Sequence, residues 1–171
     1  MDELSKGTDD FKGLFCRGLR KGEVMEDRYL FKAKRIDNGE WEIGSLIMLP
    51  NGKYEIANGC TNPPDSDPMW KSCVITHLVD PSTICQCTGL KDKNGKLIWE
   101  NDIVNCTDEE CCGYISWNES EAGFYFNVLL EGGGFKEEHI YDYQDCMEVI
   151  GNIFDNAELF STCDTCEFGG D

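Results

Sequence analysis

Cysteine is the residue type with most chemistry on offer. Eleven stand in 171 residues, as Cys163-Asp164-Thr165-Cys166, Cys85-Gln86-Cys87, Cys111-Cys112 and isolated positions. Two such pairs brought together would make a four-thiolate zinc site, because soft thiolates suit a tetrahedral ion. The spacings are irregular, however, and adjacent Cys111 and Cys112 cannot easily aim two ligands at one metal, so neither a metal nor another cofactor is expected. A thioredoxin-type role is weaker still. No βαβ pattern surrounds the CxxC, and its flanking acids would raise the thiol pKa. The N-terminus, Met1-Asp2-Glu3-Leu4-Ser5, lacks an apolar secretion core. With an odd count in a reducing compartment, thiols packed as small hydrophobes are the expectation for most of the cysteines.

The remaining catalytic vocabulary is thin. His77 and His139 are the two histidines. His139 follows Glu137-Glu138, a combination able to bind metal or move protons, but no second His stands at ligand spacing, and an isolated strand His is commonly structural. No nucleophile elbow, Walker loop, HExxH or Rossmann fingerprint is present. Gly132-Gly133-Gly134 precedes no Lys-Ser/Thr helix start and reads as a turn. Calcium has no EF-hand spacing to occupy. With 33 carboxylates, some pair will always look catalytic, so pairing alone carries no weight. The residues point to binding, and no enzymatic activity is expected.

Charge supplies the direction. The formal net charge is −18. Residues 1–99 hold 15 acidic and 14 basic residues, whereas residues 100–171 hold 18 acidic residues and a single basic one, Lys136. The stretch 12–35 is locally basic, with eight cations against Glu23, Glu26 and Asp27. The acidic half repels nucleic acid and anionic membranes and attracts basic surfaces at a salt-dependent rate. The candidate partner-binding residues are acids of this half, where Lys136 is the one local cation, chiefly Asp108, Glu109, Glu110, Glu119, Glu121, Glu137, Glu138, Asp142 and Asp145. A solvated face that only maintains solubility is the bland alternative. No apolar run approaches the ~18 residues of a membrane span, so a cytoplasmic location is expected.

The elements that must carry these residues are short strands. Asn38-Gly39 separates Tyr29–Ile36 from Glu40–Leu49, and Asn51-Gly52 separates the latter from Lys53–Ala57. Asn-Gly between β-prone runs signals a hairpin, since both residues tolerate positive φ. In the middle strand Trp41, Ile43, Ser45 and Ile47 share one side and Glu40 and Glu42 the other, the alternation of a half-buried strand. Residues 58–72 hold three prolines and read as a loop. Cys73–Val79 is a strand ended by Asp80-Pro81. Asn94-Gly95 makes a third turn before Leu97–Trp99 and Asp102–Val104. Gly113–Trp117 and Phe124–Leu130 flank a loop, and Val149–Phe154 is the last strand, with a capped helical turn running to Phe160. Phe11, Leu14, Phe15 and Leu19 fit a short helix or a packed loop. The expectation is therefore a mainly β chain: an arm at 1–28, a β-meander at 29–80, a small SH3-like barrel or rolled sheet at 81–160, and an acidic tail at 161–171.

Two long stretches are more specific: residues 87–104, Cys-Thr-Gly-Leu-Lys-Asp-Lys-Asn-Gly-Lys-Leu-Ile-Trp-Glu-Asn-Asp-Ile-Val, and residues 148–159, Glu-Val-Ile-Gly-Asn-Ile-Phe-Asp-Asn-Ala-Glu-Leu. Both resemble the signature of the YopX family, and residues 31–47 are similar to its opening strand pair. The resemblance spans roughly residues 29–160 and implies a protein encoded by a phage or prophage, with no enzymatic role attached. The motif residues also have structural jobs: Asn94-Gly95 turns the chain, Ile98, Ile103 and Val104 fill a core, and Gly151 admits a close backbone approach.

Charge and resemblance together predict an accessory protein that binds a basic, nucleic-acid-binding protein of the bacterial host, with carboxylates standing in for phosphates. The alternative is self-assembly, the basic 12–35 segment docking head-to-tail on a neighbour's acidic half. A nucleic-acid-binding SH3-like module is the third reading, disfavoured by the acidic half.

Overall fold

The computed structural model describes residues 27–61, 73–107, 111–143 and 145–161. Most of the 1–28 arm, the helix-or-loop reading at 11–20, Asp108-Glu109-Glu110 and the Cys163–Cys166 pair lie outside the described residues.

The Asn-Gly turns set the first sheet. Strands β1 (Phe31–Lys34), β2 (Trp41–Met48), β3 (Tyr54–Thr61) and β4 (Cys73–Val79) form an antiparallel meander. Asn38 and Asn51 each accept, through the side-chain oxygen, the amide of the residue two positions on. A 3-10 turn, Pro81–Thr83, is capped by Asp80, whose carboxylate accepts the Ser82 amide. It leads into β5 (Cys85–Lys91) and β6 (Leu97–Trp99), and the six strands lie in the order β4-β3-β2-β1-β5-β6. An isolated bridge between Arg35 and Val79 curls the end of β4 back onto the end of β1.

The second sheet contains β7 (Asp102–Cys106), β8 (Cys111–Asn118), β9 (Gly123–Leu129), β10 (Phe135–His139) and, after the single-turn α1 (Ile140–Tyr143), β11 (Met147–Asn152), in the order β10-β9-β8-β7-β11. A 3-10 turn, Ala157–Ser161, follows. One face of this sheet carries the largest core, around Phe126, Ile115, Val104, Val128 and Met147. Gly113 is obligatory there: a Cβ would land on the Asn127 carbonyl and 2.8 Å from a Phe126 ring carbon. The 3-10 turn covers part of the other face, where the Phe160 ring meets Tyr114 and Phe135 edge-on. Gly151 admits a close approach of side chains and not of backbone, since a Cβ would stand 2.7 Å from the Asn156 side chain and 2.9 Å from that of Leu159.

The mainly β expectation holds, with local differences: β3 runs on to Thr61, into the stretch expected as a loop at 58–72, because its pairing with β4 continues there, and β10 forms where no strand was expected. Strand β5 joins β1 in the first sheet, so hydrogen bonding carries that sheet on to Trp99, past the turn at Asp80-Pro81. In β2 the buried side is that of Gly44 and Leu46, and Ile43 on the Trp41 side is 48% exposed. The reason is that β2 and β3 approach too closely for a side chain at Gly44, whose Cβ would meet Ala57 and Ile56. Finally, the thiol expectation is corrected. Cys106 and Cys146 are joined by a disulfide, and Cys112 is also disulfide-bonded. Cys106 and Met147 are direct partners across the β7–β11 pair, so the residue preceding Met147 lies within bonding reach. Cys85, Cys87 and Cys111 are buried thiols, as expected.

Candidate functional site

The three motif stretches meet at a junction between the sheets. Lys32 on β1 extends its ammonium to Asp102 at the start of β7, 2.5 Å away, with the two side chains 12% and 3% exposed. The ammonium lies 5.2 Å from the Trp41 ring and 5.5 Å from that of Trp99. Asp102 also accepts the Trp99 amide at 2.9 Å. Burial pushes its carboxyl above the ordinary range and the Lys32 charge opposes the shift. Two residues along β1, Lys34 pairs with Asp155, which also accepts the Trp41 indole N–H at 2.7 Å and the Asn152 amide group. These donors, Lys34 first, pull the Asp155 carboxyl down to about 2.

A third carboxylate ties the motifs on the far side. Asp92 accepts the amides of Asn94 and Lys96, closing the Asn94-Gly95 turn, and through its second oxygen the amide of Val149. Ile153 donates to the Asn101 carbonyl at 3.0 Å. Cys85, against Asn101, is pushed up to about 11 by burial, so it is an unreactive thiol at neutral pH. Every polar group named here has its partner inside the chain. The junction fastens two sheets together.

The chain belongs to the YopX family. The family described as YopX protein matches residues 31–161, the span bounded by β1 and the last 3-10 turn. No curated protein matches the chain. Within the matched span lie the residues of the junction.

The acidic residues are elsewhere. Antiparallel pairing sets Asn118 of β8 opposite Gly123 and His139 of β10 opposite Tyr125, so the β8–β9 turn and the end of β10 lie at one end of the second sheet. Glu119 and Glu121 are in that turn, Glu137 is near the end of β10, Asp142 is on α1 and Asp145 follows it, all exposed. Glu137 accepts a hydrogen bond from the Asn118 side chain at 2.8 Å, which fastens β10 to the turn. Burial raises the Tyr125 hydroxyl, and the charges of Glu121 and Glu137 raise it further, which places both acids around one ring. His139 lies against the same ring, 4.8 Å between centroids.

Not all nine candidates gather there: Asp145 precedes Cys146, which is disulfide-bonded to Cys106 beside Cys111 at the other end of β8, and Asp142 lies on the connection that leads to it. Glu138 points to the opposite face from Glu137 and pairs with Lys136 at 2.6 Å. Asp108, Glu109 and Glu110 lie outside the described residues. Among the described residues, no ion pair involves Glu119, Glu121, Glu137, Asp142 or Asp145, and no group of three or more His, Cys, Asp or Glu could hold a metal. His77 faces Glu42 at 3.3 Å. Of the described cations of the basic 12–35 stretch, Lys32, Lys34 and Arg35 are ion-paired within the chain, and Arg28 stands over the Tyr29 ring. No helix among the described residues is long and apolar enough to cross a membrane. The sequence missed the junction, whose only local signal was the coincidence of Trp, Asp and Asn in long motifs.

Proposed function

We propose that the chain is a non-enzymatic binding protein of phage or prophage origin. Its acidic end docks on the basic, nucleic-acid-binding surface of a host protein and so inhibits a defence or DNA-processing system in the bacterial cytoplasm. One observation supports the reading most: Glu119, Glu121 and Glu137 share one end of a single sheet, and neither they nor exposed Asp142 and Asp145 have an ion-paired cation among the described residues. Fixed carboxylates on a β scaffold present an anionic surface that displaces the counterions of a basic groove as phosphates do. The same field repels nucleic acid and anionic membranes, so direct binding to either is not part of the reading.

The test is capture of host proteins at low salt on the immobilised chain, with stepwise salt elution and competition by double-stranded DNA. The expected catch is a basic nucleic-acid-binding protein that DNA displaces. A variant carrying Glu119→Gln, Glu121→Gln, Glu137→Gln, Asp142→Asn and Asp145→Asn should lose that partner. Capture that survives all five changes sinks the reading.

A further inference from the structure

Four strands end the two sheets: β4 and β6 in the first, β10 and β11 in the second. An edge strand presents unpaired amides and carbonyls, and soluble proteins blunt such edges with charge, shortness or irregularity. Three of the four conform. β6 has three residues; β10 carries Lys136, Glu137 and Glu138; β11 carries Glu148 and an irregular register at Gly151.

β4 does not conform. Cys-Val-Ile-Thr-His-Leu-Val is seven residues with no Asp, Glu, Lys, Arg, Gly or Pro. Val74 is 57% and Ile75 39% exposed. The register shift opposite it is taken up on β3, between Ala57 and Gly59, so β4 itself runs without interruption. Its C-terminal end is closed, because Arg35 bridges Val79 and the Ile36 amide donates to the Leu78 carbonyl at 3.0 Å. Among the described residues the open edge is Cys73–His77, paired with β3 on one side only.

We propose that this open edge pairs antiparallel with the same edge of a second copy of the chain, across a twofold axis, joining two six-stranded sheets into one. Charge favours a second copy at this edge above any other. Copies of a −18 chain repel each other wherever their acidic sheets approach. The described residues 27–61 and 73–99 hold eight basic and seven acidic residues, a balance of +1. The second sheet is held at β1, through Lys32 and Lys34, and not at Cys73–His77. Self-pairing at β10 would instead set Glu137 and Glu138 against their own copies. A strand edge is self-complementary under a twofold axis, and this one presents exposed β-branched side chains to its copy with no like charge between them. The pairing does not depend on what the acidic residues bind.

Sedimentation equilibrium of the full chain from low to high micromolar concentration tests the proposal. The expected result is a monomer–dimer equilibrium that salt does not weaken, since no ion pair forms it. Val74→Lys, at an exposed position where the fold tolerates the change, should weaken the dimer by at least about tenfold by setting like charges across the axis. Val74→Thr should leave it in place. Hydrogen exchange supplies a readout that is independent of the variants: amides of Cys73–His77 should slow as concentration rises. A chain that stays monomeric throughout overturns the proposal. So does a dimer that Val74→Lys does not change, or one that dissociates with added salt.

Discussion

Asp102→Ala is the change that most directly tests how the two sheets are held. The side chain is 3% exposed and holds the Lys32 ammonium, itself 12% exposed, at 2.5 Å. Removing it strands that ammonium among Trp41 and Trp99 and leaves the Trp99 amide without its acceptor. Deleting one partner of a buried ion pair costs about 3–5 kcal/mol, because the remaining charge is uncompensated. With a urea m-value of about 2 kcal/mol/M, the unfolding midpoint should fall by about 2 M. The assay is urea unfolding followed by tryptophan fluorescence, since two of the four Trp flank the pair. Glu148→Ala is the internal comparison. Its partner Lys93 is 2.8 Å away, but the two side chains are 31% and 40% exposed, and pairs of that kind contribute at most about 1 kcal/mol. Lys32→Met adds a pH signature. Asp102, already raised by burial, would rise further without its cation. The folded state would then bind a proton more tightly than the unfolded one, so the variant's deficit should grow as pH rises through the carboxylate range. A midpoint for Asp102→Ala no lower than that of Glu148→Ala would refute the reasoning and show that water reaches Lys32.

Three further outcomes are expected. Asp155 sits at about 2 when folded against an ordinary 3.8. Its contribution is therefore complete above pH 4, roughly, and is lost as pH falls through the folded value; Asp155→Asn should flatten that part of the stability–pH curve, and an unchanged slope would assign it to other acids. Gly113→Ala drives a methyl into the Asn127 carbonyl and the Phe126 ring and should cost about 3 kcal/mol by overpacking, read as a lower urea midpoint. The Cys106–Cys146 disulfide closes a separation of 40 residues, which by loop entropy stabilises by roughly 4 kcal/mol. The double variant Cys106→Ser/Cys146→Ser should lose most of this, and a midpoint equal to that of the parent protein would show that the bond is not formed.

What was legible in the sequence follows the range of the interactions. Asn38-Gly39, Asn51-Gly52 and Asn94-Gly95 were readable because a turn is decided by residues two to four positions apart; each Gly has positive φ, and Asn38, Asn51 and Asp92 each accept a backbone amide two positions on. β4 was readable because β-branched residues fill it. β5 was not, since Gly89 at φ 81 and polar neighbours break the pattern, and β10 was not, since an edge strand rich in charge looks like a loop. The junction was out of reach for a different reason. Lys32 and Asp102 are 70 residues apart, and Lys34 and Asp155 are 121 apart. Nothing local marks such pairs. The acidic block was legible as composition but not as a surface, because strand alternation sends Glu137 and Glu138 to opposite faces and gives Glu138 to Lys136.

The junction and the acidic residues come from different stretches of the chain. The motif stretches at 31–47, 87–104 and 148–159 supply Lys32, Lys34, Trp41, Asp92, Asp102 and Asp155, and those groups satisfy one another. In this chain those three stretches share one structural task, fastening two sheets. None of Glu119, Glu121, Glu137, Asp142 and Asp145 lies in those stretches. The acidic end is carried by the junction without contributing to it, so neutralising the five acids should leave urea stability unchanged or slightly raised by relieved repulsion, while Asp102→Ala should do the reverse: lower stability with the acidic end chemically intact. A five-residue variant that unfolds at lower urea would tie the acids to the fold and remove the ground for assigning them to a partner.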